Sequence, residues 1–160
     1  MKKIILFRHG KSAWESGISD FERDLNPIGV KRTGKSAEYL FKNPHLKIDA
    51  WYSSPAKRAE RTAEIAAGHF HEIPEIRLNR VLYTFSFFDL LKFVKKLDNS
   101  LQTIILFGHN EAFTEFVNRM GNQYLDNLPT SGVAILEFDI SDWQKIDKGK
   151  TLSIIKPKSL

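Results

Sequence analysis

The chain has no cysteine. Disulfides, thiolate metal sites and a cysteine nucleophile are thereby excluded, and the composition suits a reducing, cytoplasmic compartment. Long apolar runs are also missing. None approaches the roughly 20 residues needed to cross a bilayer. The run that follows the basic Lys2-Lys3 is broken by Arg8 and His9, which argues against a signal peptide. No membrane association is expected. Clustered charge is scarce too: Lys and Arg exceed Asp and Glu by 24 to 19, but the basic residues are spread along the chain. No nucleic-acid module is recognisable, so nucleic acid is not expected as a partner. The modest positive field suits an anionic small substrate or an acidic partner protein. What remains is an ordinary globular composition, 42% hydrophobic and 27% charged. It is expected to fold as one domain over residues 1–160. Oligomeric state is not encoded in any visible pattern.

Two stretches have nearly the same form. Ile4-Ile5-Leu6-Phe7 runs into Arg8-His9-Gly10, and Ile104-Ile105-Leu106-Phe107 runs into Gly108-His109-Asn110. Each run is too short for a helix and does not alternate, so it reads as a strand buried on both faces. Further strands are predicted over Ile48 to Tyr52, Ile76 to Leu82, Val133 to Phe138 and Leu152 to Ile155. Helices are predicted from Pro27, capped by Asn26, to about Asn43, and from Pro55 to Ala67. Two more are predicted over Phe88 to Leu97, with Phe88, Leu91, Val94 and Leu97 on one face, and from an Asn110 cap to Gly121. Strands alternating with helices imply a three-layer α/β/α sandwich with a mostly parallel central sheet. The polar segment Lys11 to Leu25 reads as a loop over the sheet edge.

Open α/β sheets bind ligands at the carboxyl ends of their strands. Three such ends carry polar residues: Arg8-His9-Gly10, Ser53-Ser54-Pro55 leading to Arg58, and Gly108-His109-Asn110. Arg58 falls in the first turn of its helix, where the dipole disfavours a cation, and a bound anion relieves that conflict. Arginine forks match the oxygens of a phosphoryl group. A neutral imidazole can attack phosphorus, and neighbouring guanidinium charge disfavours its protonation. His9 is thus a candidate nucleophile, Arg8 and Arg58 candidate phosphate ligands, and His109 a candidate stabiliser of the transferring group. Gly10 is a candidate for leaving backbone room for the phosphate.

The ordered motifs resemble those of the histidine phosphatase superfamily, the phosphoglycerate-mutase-like group, and within it the short SixA-like phosphohistidine phosphatase branch. Arg8-His9-Gly10-Lys11-Ser12-Ala13-Trp14 is similar to its RHG signature. Arg23-Asp24-Leu25-Asn26-Pro27-Ile28-Gly29 is similar to its second segment. Ser53-Ser54-Pro55-Ala56-Lys57-Arg58-Ala59, Thr62-Ala63-Glu64, Gly108-His109-Asn110 and Leu128 to Gly132 complete the set. The resemblance implies that His9 is phosphorylated and that Arg8, Arg58 and His109 form the phosphate pocket. Arg23 is a weaker candidate for substrate contact. No cofactor and no metal are implied.

The chain departs from the family in one place. Members acting on alkyl phosphates usually carry a glutamate acid between the second and third motifs, but Val81 to Phe87 holds no carboxylate. Asp89 is the nearest, and Glu111 stands beside the third motif. A missing acid matters for an alkoxide leaving group and much less for a phosphoramidate. The expected substrate is therefore phosphohistidine in a phosphorylated protein. Alternatives are a phosphomonoesterase acting on small phosphorylated metabolites and a non-catalytic phosphate or phosphoprotein sensor. Residues Gly29 to Ser36 match the P-loop pattern letter for letter, but no buried strand feeds them. They read as an amphipathic helix, and a nucleotide-binding module is the least favoured alternative.

Overall fold

The computed structural model describes residues 1–160. The runs Ile4 to Phe7 and Ile104 to Phe107 alternate between two hydrophobic layers. Ile4, Leu6, Ile104 and Leu106 enter one core, while Ile5, Phe7, Ile105 and Phe107 enter the other. Such strands need a cover on each face, and four helices supply it. The elements are β1 (Lys2–Arg8), α1 (Pro27–Leu40), β2 (Ala50–Ser53), α2 (Lys57–Ala67) and β3 (Ile76–Leu78). They continue as α3 (Phe87–Lys95), β4 (Thr103–Gly108), α4 (Ala112–Met120), β5 (Val133–Phe138) and β6 (Lys150–Ile155). Helices α3 and α4 bury Phe87, Leu90, Val94, Phe113, Phe116 and Val117 in the first core. Helices α1 and α2 bury Ala37, Leu40, Ala63 and Ala66 in the second. This is the expected α/β/α layering.

The sheet order is β3-β2-β4-β1-β5-β6. The first four strands are mutually parallel, and β5 alone runs opposite to its neighbours. The loop before β5 therefore arrives at the same sheet edge as the carboxyl ends of the parallel strands. The carboxyl end of β6 reaches that edge as well.

Several boundaries differ from the sequence reading. Helix α1 stops at Leu40 instead of Asn43, because Phe41 turns to pack against Trp51 and Phe70, with ring centroids 5.7 and 5.0 Å away. Strand β3 ends at Leu78, where the Asn79 side chain accepts the Val81 N–H at 3.0 Å and turns the chain. Helix α3 starts one residue earlier than expected, and its buried face is Phe87, Leu90 and Val94. Phe88 is 65% exposed instead of buried. Asn110 lies one residue before the residue that caps α4, yet its Oδ1 still accepts the Thr114 N–H at 3.2 Å.

Phe107 is fully buried between Phe7 and Trp51, with centroids at 5.1 and 5.6 Å. Phe107→Ala is expected to cost about 3–5 kcal/mol through lost transfer energy and the cavity left behind. Chemical denaturation should show this as a lower midpoint with an unchanged slope.

Candidate active site

Strands β1 and β4 pair in register, Arg8 opposite Gly108. The next residue of each strand is a histidine, so His9 and His109 emerge side by side with ring centroids 5.1 Å apart. Both are buried. The His9 amide donates to the Gly108 carbonyl at 3.1 Å, which continues the ladder one step past the strands. Strand β2 ends on their other side, and the Ser54 amide donates to the Phe107 carbonyl at 2.9 Å. Helix α2 then presents Arg58, only 3% exposed, in its first turn.

Hydrogen bonds fix both imidazole tautomers. His9 Nδ1 lies 2.7 Å from the Gly10 carbonyl, which only accepts, so Nδ1 carries the proton and Nε2 keeps its lone pair. Arg58 Nη2 lies 3.4 Å from His109 Nδ1 and only donates, so His109 is protonated on Nε2 and donates to Ser54 Oγ at 2.9 Å. Burial depresses the proton affinity of both rings. The Gly10 bond opposes this at His9, and the charges of Arg58, Arg8 and Arg23 add to it, leaving the His9 pKa at about 3. Burial, His9 and Arg58 bring His109 to about 2. Both rings are neutral at physiological pH.

Arg8 extends from the end of β1. Its Nη1 donates to the Leu128 carbonyl at 2.7 Å, while its buried Nε has no protein partner. Arg58 Nε is likewise buried without a partner. Two guanidinium groups with unused donors beside two neutral imidazoles form a site suited to a multi-oxygen anion. Gly10 does a different job from the one expected. The space a Cβ would take is filled by Thr33 Oγ1 at 2.8 Å and the Gly29 carbonyl at 3.0 Å. Its N–H donates to Thr62 Oγ1 at 2.9 Å. Gly10 thus lets α1 and α2 close against the turn that carries His9.

Asp20 is the residue that sequence reasoning missed. It lies in the segment over the sheet edge, and its carboxylate accepts from Arg58 Nη2 at 3.0 Å, Arg23 Nη1 at 3.1 Å and Tyr83 Oη at 2.6 Å. Its carbonyl accepts from Arg58 Nη1 at 2.6 Å. Burial pushes the carboxyl up, but the Tyr83 and Arg58 hydrogen bonds outweigh it and hold the pKa at about 2. Arg23 also bonds Ser12 Oγ, and its guanidinium stacks on exposed Trp14 at 3.5 Å. Arg23 is thus brought to the site through Asp20. Asp89 is exposed and accepts from Thr84 Oγ1 at 2.8 Å, a local contact at the start of α3. Glu111 is exposed, and its charge acts on Arg8. Arg61 pairs with Asp24 at 3.7 Å on the surface. No group of three or more His, Cys, Asp or Glu side chains is placed to hold a metal ion.

The model of the histidine phosphatase superfamily (branch 1) matches residues 4–82. The fold agrees over 98% of both chains with the protein histidine phosphatase SixA complexed with tungstate (TM-score 0.82, 19% identity). It agrees to the same extent with the SixA protein of Agrobacterium tumefaciens (TM-score 0.81, 23% identity). The first half of the chain thus matches the histidine phosphatase superfamily, and the whole chain has the architecture of the SixA structures. An uncharacterized protein of Mycobacterium tuberculosis is 24% identical over 89% of this chain and 92% of its own. A 2,3-bisphosphoglycerate-dependent phosphoglycerate mutase of Corynebacterium efficiens is 40% identical over 47% of this chain and 32% of that protein.

Two outcomes follow from the electrostatics. The histidines bind protons when the chain unfolds, with an ordinary pKa of 6.5, but not while folded down to about pH 3. Stability is therefore complete above pH 6.5 and falls as the pH drops below it, by about 1.4 kcal/mol per pH unit for each ring. The double variant His9→Asn/His109→Asn should flatten that slope in denaturation measured between pH 6.5 and 4. Separately, Asp20→Asn removes a negative charge from Arg58 and should lower the competitive inhibition constant of inorganic phosphate several-fold. An unchanged constant would mean that Asp20 does not compete with the anion.

Proposed function

We propose that the chain is a phosphatase that passes the phosphoryl group through phospho-His9, and that its substrate is phosphohistidine in a protein. The observation that carries the reading is the state of the His9 ring: Nδ1–H is held by the Gly10 carbonyl, and Nε2 is unprotonated among Arg8, Arg58 and His109. An unprotonated nitrogen is a nucleophile without any further base. The tungstate of the SixA complex is a tetrahedral oxyanion, the shape this reading requires.

The steps follow from these groups. The phosphoryl oxygens replace Asp20 as the partners of Arg58 and take up the unused donors of Arg8. The dianion raises the proton affinity of His109, which then donates to the transferring group. His9 Nε2 bonds to phosphorus as the bond to the substrate nitrogen breaks. The departing imidazole keeps or takes from water the proton on its second nitrogen and leaves neutral. Water then attacks phospho-His9 and releases inorganic phosphate, returning His9 to its starting tautomer.

Substrate class follows from the carboxylate inventory. Asp20 touches Arg58 and Tyr83 but stays ionised, so it accepts hydrogen bonds and has no proton to give. An alkoxide leaving group lacks its acid, which costs typically about 10²–10⁴-fold. An imidazole leaving group needs no such acid.

Phosphate release from a phosphohistidine peptide and from an alkyl phosphomonoester, compared as kcat/KM, tests this. The peptide should be preferred, and His9→Ala should reduce turnover by roughly 10³-fold or more. Arg58→Ala should cost about 10²–10³-fold, the scale for losing one charge-stabilising donor. Equal rates on the alkyl ester would make the protein a broader phosphomonoesterase. Phosphate binding without turnover of either substrate would make it a sensor.

A further inference from the structure

Beside the phosphate pocket lies a groove of about 490 Å³ whose walls include Arg8, Lys11, Arg32, Lys156 and Lys158. Of its ten lining residues five are cationic, none is acidic and none is aromatic. A second cavity of about 510 Å³ shares Arg32 and Lys158 with it and adds Lys31 and Lys35. The residues of the P-loop-like stretch, which bind no nucleotide in the reading above, thus have a place: α1 turns Arg32 into this groove and Lys31 and Lys35 into the cavity beside it. Topology explains the other wall. Strand β6 is antiparallel to β5, which is antiparallel to β1, so the β6 tail emerges beside Arg8.

The charge here has no ion-pair partner; only Glu111 acts on it, on Arg8, from beyond ion-pair distance. Elsewhere Arg58 and Arg23 pair with Asp20, Lys57 and Arg61 with Asp24, and Arg119 with Glu115. No groove cation has a carboxylate within ion-pair distance. The five cations of the first cavity equal the whole formal excess of +5, so the remainder of the molecule is balanced. Like charges left side by side without counter-charges destabilise the fold, and a complementary partner relieves them.

We infer that this groove docks an acidic stretch of the phosphoprotein substrate, next to the phosphorylated residue that enters the pocket at Arg8. The inference rests on the phosphohistidine reading of the site. Three observations select this occupant. Small-molecule sites are mostly apolar with a few polar groups, whereas the only apolar side chains of this wall are the rings of Pro129 and Pro157. Single-stranded nucleic acid is held by stacked aromatics, and none lines the groove. Lys11, Lys156 and Lys158 are exposed and open to a protein surface.

The test uses two fluorescent phosphohistidine peptides that differ only in flanking residues, Asp and Glu in one, Asn and Gln in the other. Anisotropy on a His9→Ala background gives affinity without turnover, and the active chain gives kcat/KM. The acidic peptide should bind about tenfold more tightly, as expected for three exposed charge pairs. The triple variant Arg32→Gln/Lys156→Gln/Lys158→Gln should erase that preference without lowering the melting temperature. A control removing the same charge at the opposite sheet edge, Lys145→Gln/Lys148→Gln/Lys150→Gln, should retain it. Equal binding of both peptides, equal loss in both triple variants, or tighter binding of a single-stranded oligonucleotide of the same charge would each overturn the inference. His9-dependent hydrolysis without acidic preference sinks the groove and keeps the phosphatase. Acidic preference without hydrolysis does the reverse.

Discussion

The in-register parallel pairing of β1 with β4 is the constraint on which the site depends. Because Arg8 faces Gly108, the residues that follow fall abreast, and both are histidines. A slip of one residue would turn one imidazole to the opposite face of the sheet. The buried runs on either side make that slip costly, since it would exchange Ile4 and Leu6 with Ile5 and Phe7 between two differently shaped cores. Core packing that looks remote from chemistry therefore sets the distance between the two rings.

Around that pair, charge and burial are set against each other. Two rings that prefer to be neutral are surrounded by guanidinium groups that prefer an anion. In the free molecule Asp20 is that anion, with Tyr83 and Arg23 holding it in place. The arrangement avoids leaving Arg58 as a buried unpaired charge, which would be strongly destabilising. It also makes the segment over the sheet edge responsive to whatever enters the pocket, because that segment is tied to the same guanidinium.

The layers, the strand ends and the four polar residues at the edge were legible in the sequence because short unalternating apolar runs have few other meanings. The boundary errors share a cause. Phe41 and Phe88 have side chains that a helical pattern assigns inward, but tertiary neighbours decide: Phe41 serves a cluster with Trp51 and Phe70, and Phe88 yields the inner position to Phe87. Asp20 was illegible for another reason. It sits among several acids in a segment without periodicity, and its partners Arg58 and Tyr83 lie 38 and 63 residues away. Tyr83 lies in a stretch, Val81 to Phe87, whose one informative feature in sequence is its lack of a carboxylate. Gly10 was legible as a requirement for space, but the occupant of that space, Thr33 with Gly29, belongs to the fold and not to a ligand.

The Trp14–Arg23 stack gives the molecule an optical property. Of its three tryptophans, Trp51 and Trp143 are 2% and 0% exposed, and Trp14 is 78% exposed. Emission from Trp14 is thus red-shifted and open to aqueous quenchers, while the other two emit from the protein interior. Its indole lies on the guanidinium that holds Asp20, so displacement of Asp20 by an arriving oxyanion changes the electrostatic surroundings of the one solvent-facing tryptophan. Occupancy of the pocket becomes visible at the long-wavelength edge of the chain's own fluorescence, with no label attached.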